Sequence, residues 1–405
     1  MSYSLKETVQ FDPSNMSAFG TLETAELTPL IQIDFVHGIN SQIGAVTVAN
    51  SGVGDTNAGR LRLQSNTNAA GNASYSSRRA AKYRPGQGIT ARFTAAFTTG
   101  VANSTQIVGV GNATNGYFFG YNGTAFGICH RNGGADTWIA QANFNGDKAD
   151  GTGASAFTIA PAFGNVYMIK YPFLGYGDIG FYVEDQVTSR WLLVHTIRYA
   201  NTTATIQLTN PNLFFYAQSL NGGATTNQIV YVASVGVFLS GMREYVGSPK
   251  WATDNYKASI TAETNIFSIR NATTYNTLTN RSLIWLHSLS VAADAGKNTV
   301  AIAVFRLRVG ATVGGSPSFA TINGTTADSG VTITSGNSIT SVDTAGTTAT
   351  GGTLIYNVTV SEPGSAIIDL TPFGLFLAPA EILTVSGFSS SSATMSAALN
   401  WSEDI

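Results

Sequence analysis

The chain has 405 residues, only 11% of them charged, with 21 basic against 23 acidic side chains and a net charge of −2. That balance leaves no basic stripe for counterion release, which argues against a nucleic-acid partner, and no apolar run reaches membrane-spanning length, which argues against a membrane one. A single cysteine, Cys129, excludes an intramolecular disulfide, so cohesion has to come from sheet packing and from oligomerisation.

The length exceeds the usual single domain, and two domains are expected. Gly, Ser, Thr, Asn and Ala separate short runs of Val, Ile, Phe and Tyr, and helices would need the exposed Glu and Lys faces that this composition lacks. The expected class is therefore all-β. The opening MSYSLKETVQ has no apolar signal core, which points to synthesis and assembly in a cytoplasm. Residues 28–36, TPLIQIDFV, are read as the first strand of the first domain, with docking on a neighbouring subunit as the alternative. Arg78 and Arg79, with Lys82 and Arg84, form the only basic cluster, read as a solvated edge or subunit contact. From GITARFTAAFTTG to IVYVASVGVFLSG, period-two stretches bounded by Gly, Asn and Ser predict about a dozen strands of a two-sheet sandwich.

Within them, GYFFGYNGTAFGICHRNGG, residues 116–134, carries five aromatics, the cysteine and a histidine. Adjacent strand residues point to opposite faces, so Cys129 and His130 are badly placed as a thiolate–imidazolium pair, and Cys129 reads as a buried apolar residue. Asn122 and Gly123 are read as the tight turn of a hairpin in which Phe119, Tyr121 and Phe126 pack one face and the other aromatics are exposed.

Residues 241–256, GMREYVGSPKWATDNY, mix Gly, Pro and charge without periodicity and are read as a linker between domains at 1–240 and 257–405. Beyond it, about eight strands in 150 residues match the count of a jelly roll. Gly310 to Gly352, nearly free of charge, reads as edge strands and loops of that domain, with disorder as the lesser possibility.

Chemistry-bearing patterns are few. His37, His130, His195 and His287 are scattered without metal-ligand spacing. Glu184 and Asp185 face opposite sides of an extended segment, so the paired acids of a glycosidase are not found. Asn143, Asn145, Asp147 and Asp150 lie in a glycine-rich loop that could wrap calcium but lacks the EF-hand glycine and glutamate positions; a surface turn is the preferred reading. Acceptor tripeptides at Asn103, Asn112, Asn122, Asn201, Asn271, Asn323 and Asn357 are read as unmodified turns and strand ends. No catalytic residue, metal ligand or cofactor site is assigned. For a glycan-binding reading, Tyr121, Trp138, Tyr176 and Trp191 are the candidate rings to stack on sugar faces.

One resemblance adds to this. The run YRPGQGITARFTAAFTTGVANSTQIVGVGNATNGYFFGYNGTAFGI, with YPFLGYGDIGFYVED after it, resembles the laminin-G or concanavalin-like sandwich of structural proteins from tailed phages and large DNA viruses, over roughly residues 10–240. Its most specific part is Pro85, Gly86, Gln87 and Gly88 followed by Arg92, Phe93 and Thr94. LFLAPAEILTVSGFSSSSATMSAALNWSED, residues 375–404, resembles the closing strands of virion fibre, spike or capsid-decorating domains, with Ala380 where glycine is expected after Pro379. The resemblance implies a concanavalin-like and a jelly-roll-like sandwich in a non-enzymatic virion protein on capsid, tail or fibre. Its implied partners are its own copies, as a trimer by preference, other virion proteins, and a host-surface glycan. A glycan-binding adhesin is the alternative, and a polysaccharide-degrading enzyme is disfavoured.

Overall fold

Alternation of β-branched and aromatic residues with small polar ones gives each strand one apolar face, and such faces are stable only when two sheets close on each other. In the computed structural model, which describes residues 27–241, 250–296, 301–322 and 338–405, the protein is all-β and is built of two sandwiches, the chain dividing between Arg243 and Glu244.

The first unit pairs a nine-stranded with a seven-stranded antiparallel sheet. The nine-stranded sheet branches at Ile89–Phe97. One edge of that strand pairs with Asn165–Tyr171 along its length; the other pairs first with Ser234–Ser240 and then with Ile229–Val232. Ser234–Ser240 carries Leu27–Asp34, so the TPLIQIDFV segment is a sheet strand. Ile229–Val232 carries Arg60–Gln64 and then Val53–Asn57. The seven-stranded sheet runs Ala135–Ala140, Ala125–Asn132, Gly116–Asn122, Ser104–Gly111, Phe214–Asn221, Asn72–Ser77, Gly44–Ala49. Between the sheets lies a layer of rings: Phe93 stacks on Tyr167 at 5.7 Å, Phe119 meets Tyr167 at 4.7 Å, and Phe181 closes on Phe119 at 5.4 Å.

Two expectations for residues 116–134 are corrected. Asn122 pairs with Ala125, so the turn is Gly123–Thr124, with Gly123 at φ 60° in the first loop position, where a type II′ turn takes glycine. The remaining aromatics are not exposed. Tyr117 joins the core, and Phe118, on the opposite face, is buried with Ile107, Cys129 and Tyr216.

In the second unit, eight principal strands follow in chain order: Lys250–Ile260, Thr264–Asn271, Ile284–Asp294, Ala301–Val309, Thr353–Glu362, Gly364–Asp369, Ile382–Ser389 and Ala393–Glu403. One sheet orders them first, eighth, third, sixth; the other second, seventh, fourth, fifth. That interleaving is the jelly roll. The expected linker is corrected here, because Lys250–Ile260 is an edge strand paired with Ala393–Glu403 and buries Trp251. The Pro and charges of 241–256 masked the alternation that begins at Trp251. Thr312–Gly314, Ala320–Thr321, Thr340–Asp343 and Thr348–Thr350 extend the second sheet as short strands. Asn323 and the rest of 323–337 lie outside the described residues.

The departure at Ala380 has a conformational meaning. Glu381 N–H donates to Ala378 O at 3.1 Å across a turn with Pro379 second and Ala380 third, and Ala380 sits at φ 72°. This is the type II arrangement, whose third position favours glycine because a Cβ crowds the following carbonyl there. Ala380→Gly is expected to raise unfolding free energy by about 0.5–1 kcal/mol, the relief of left-handed strain less the added freedom of the unfolded chain. An unchanged or lower denaturation midpoint at constant slope would contradict this.

Candidate functional site

The four candidate stacking rings do not converge. Tyr121 is wedged at the core edge between Phe126 at 5.3 Å and Phe97 at 6.2 Å, and burial raises its hydroxyl pKa. Trp138, half-buried on the opposite face of the same sheet, packs on the Phe118 and Cys129 cluster. Tyr176 is 41% exposed in a loop, its hydroxyl donating to Ala204 O at 3.1 Å. Trp191 lies across from Glu184 in the nine-stranded sheet, 6.0 Å from the Arg92 guanidinium. Rings on separate faces and loops make no common platform.

The other sequence candidates are committed to structure. Asp147 and Asp150 cap their own loop. Burial raises the Asp147 pKa, but amides of Ser155 and Ala149 outweigh it and hold the carboxyl below its usual range. Asp150 is lowered by the Thr152 hydroxyl and amide. Asp185 turns back on the Val187 amide and the Thr188 hydroxyl in the hairpin before Trp191, away from Glu184. Asn271 is fully buried, its amide donating to the Ser282 and Leu377 carbonyls, so this tripeptide is a structural device. Among the described residues no three His, Cys, Asp or Glu side chains gather as a metal set.

What the structure assembles instead is an open cleft of about 550 Å³ in the first unit, at the end of Ile89–Phe97. Tyr231 supplies a half-buried ring, Thr98, Thr99 and Thr226 hydroxyls, Asn227 and Gln228 amides, and Val101 and Ala162 apolar walls, while Phe97 borders the cleft with its ring kept in the core. Phe163, beside Ala162, is 74% exposed. Hydrogen bonds fix the polar wall. Gln106 Nε2 donates to Gln228 Oε1 and to Thr98 O, each at 2.9 Å, and the Gln228 backbone N–H donates to Ser65 Oγ at 2.9 Å. Asn227 Oδ1 accepts from Asn66 N at 2.8 Å while its Nδ2 donates to Gln64 at 3.2 Å. Thr98 Oγ1 accepts from Ile229 N at 2.9 Å, tying the wall to the strand that bears Tyr231. Sequence reasoning missed Tyr231 because IVYVASVGVFLSG reads as an ordinary alternating strand; its strand neighbours Ala96 and Arg62 come from far away in the chain.

Cys129 and His130 lie on opposite faces. His130 stacks on Tyr117 at 5.5 Å; its Nε2 meets the Gln207 carbonyl at 2.8 Å and so must be the donor, leaving Nδ1 to accept from the Tyr199 hydroxyl at 3.1 Å. Burial lowers its pKa against the pull of the Gln207 carbonyl and Asp136. His195 and His287 are lowered too, again chiefly by burial. A histidine held neutral in the fold stabilises above its unfolded pKa and loses that contribution as pH falls through and below it. Unfolding free energy should therefore be level between about pH 7 and 8 and decline from roughly pH 6.5 downward, with His130→Gln flattening part of the decline in denaturation series at several pH values. The Cys129 thiol is pushed far above its usual range, first by burial and then by Asp136. Native protein should resist iodoacetamide at pH 8 and react fully once unfolded; rapid native labelling would show that the thiol is accessible.

No protein-family model matches the chain, and no curated protein matches it. Among solved structures it is similar to the carbohydrate recognition domain of Emp46p in its potassium-bound form, at 8% identity over 54% of this chain and 100% of that one, with a TM-score of 0.34. The VIP36 exoplasmic/lumenal domain in its Ca2+/Man3GlcNAc-bound form gives 9% identity over 55% and 92%, TM-score 0.35. A glycosyl hydrolase family protein from Mycobacterium fortuitum gives 9% over 51% and 100%, TM-score 0.34. At such identities and scores the likeness assigns no activity.

Proposed function

We propose that the protein is a non-enzymatic carbohydrate-binding component of a virus particle, with the saccharide held in the cleft of the first sandwich. The observation that carries the binding part is the cleft's composition: a half-buried tyrosine ring beside fixed amides and threonine hydroxyls. A sugar offers C–H faces to a ring and hydroxyls to amides, which is the pairing this lining supplies. Among the described residues no carboxylate lines the cleft, and that supports binding over hydrolysis, which needs two acids flanking one bond. The particle part rests on the sequence resemblance. Jelly-roll connectivity, shared by capsid and lectin domains, supports it only as fold analogy.

A glycan array probed with the purified protein tests the binding part. Tyr231→Ala should weaken the best saccharide at least about tenfold, a loss of about 1.4 kcal/mol, with the thermal midpoint unchanged. Full binding by that variant would move the site elsewhere, and an empty array would remove the reading. For the particle part, light scattering should give the mass of a closed oligomer, a trimer by preference, that persists at high salt; a persistent monomer would count against a fibre.

A further inference from the structure

We infer that the cleft takes an acidic saccharide, a uronic-acid-type sugar whose carboxylate is held by Arg60. The inference rests on the reading of the cleft as a carbohydrate site and adds its charge class. Arg60 opens the strand Arg60–Gln64, opposite Asn57, and its guanidinium carbon lies 4.4 Å from the centre of the Tyr231 ring, which lines the cleft. Two residues along the same face, Arg62 is neutralised by Asp55 through bonds of 2.8 and 2.6 Å, and Asp55 is lowered first by that hydrogen bond. Arg60 is half-buried and, among the described residues, pairs with no carboxylate. The two arginines are thus chemically distinct: one is spent on a structural pair, the other is held against a ring with its donors unspent.

That difference matters because stacking on tyrosine uses only the face of a guanidinium. In a guanidinium packed face-on against a ring the five N–H donors lie in the plane, past the ring edge, and the ring limits the rotamers the side chain samples. A planar fork held this way matches a carboxylate through two parallel bonds. Because Arg60 covers one face of the Tyr231 ring, a sugar seated in the cleft against the rest of that ring would bring a C5 carboxylate within reach of the guanidinium's in-plane donors, whereas the Thr and Asn lining offers such a group only neutral donors. The bare structural alternative, an arginine that merely shields the ring, predicts no preference for charge.

The test is calorimetric titration of the full chain with tetragalacturonate and tetramannuronate, each as the free acid and as the methyl ester. The acid of at least one series should bind at least about tenfold more tightly than its ester at low salt, with the gap narrowing as ionic strength rises. Arg60→Gln should abolish the acid's advantage, the ratio of acid to ester affinity falling to about one, whatever change both forms share from the altered packing on Tyr231. Arg60→Lys, which keeps the charge without the fork, should restore only part of the gap. Equal affinity for acid and ester, or an acid preference that survives Arg60→Gln, overturns the inference and leaves the carbohydrate reading standing. Failure of every form to bind, together with an empty glycan array, overturns both.

Discussion

Everything in the first unit depends on closing two large sheets over one layer of rings. With no disulfide available, the interlocked set of Phe93, Phe119, Tyr167, Phe181 and Phe215 has to supply the cohesion. Each such side chain contributes roughly 1.5–3 kcal/mol on burial, and ring pairs add about 0.5–1.5 kcal/mol beyond their area. A partly exposed ion pair such as Arg62–Asp55 contributes about 0–1 kcal/mol. The rings therefore decide the fold, and the sparse charges decorate it.

A core sealed this tightly must satisfy the polar groups it encloses, and here they tie distant segments together. Gln106 and Gln228, 122 residues apart, hold the strands at the cleft end. Asn271 ties the Ser282 and Leu377 segments of the jelly roll. Glu403, wholly buried, accepts from the hydroxyls of Ser338 and Thr340 and the amide of Ile339. Asp343 gathers the amides of Ser318 and Ala345 with the Asn265 side chain. Leaving such a partner unsatisfied costs about 1–3 kcal/mol, so these bonds fix geometry between segments. The cleft benefits directly, since its amide wall is one of these networks rather than a mobile loop.

Function, on this view, sits where the sandwich stops. The ring layer ends at Phe97 together with its strand, and Thr98, the next residue, is held by Gln106 of the facing sheet and by Ile229 at the cleft wall. A cleft with one wall fixed by hydrogen-bonded amides and one half-buried ring, Tyr231, is the outcome. Arg60 and Arg62 meet it through Tyr231, since strand register places Tyr231 opposite Arg62 and Arg60, two residues before Arg62, lies over the Tyr231 ring.

The sequence by itself determined the all-β class, because period-two alternation with little charge admits no stable helix face; its strand count pointed to a jelly roll or similar sandwich, whereas the left-handed backbone of Ala380, which in sequence was only a departure from an expected glycine, was decided by the structure. It placed the opening hairpin but shifted the turn by one residue, since Asn122 and Gly123 satisfy turn preference as well as Gly123 and Thr124 do, and only pairing with the neighbouring strands chooses between them. It lost the strand at Lys250–Ile260 because Pro and charge upstream concealed the alternation. Only the tertiary structure decided which aromatics were core and which bordered a cleft. Tyr121 and Tyr231 are both strand tyrosines flanked by small or apolar residues, and what separates them is the face they occupy and the chain that covers it. Burial depends on partners far apart in sequence, and local pattern carries no record of them.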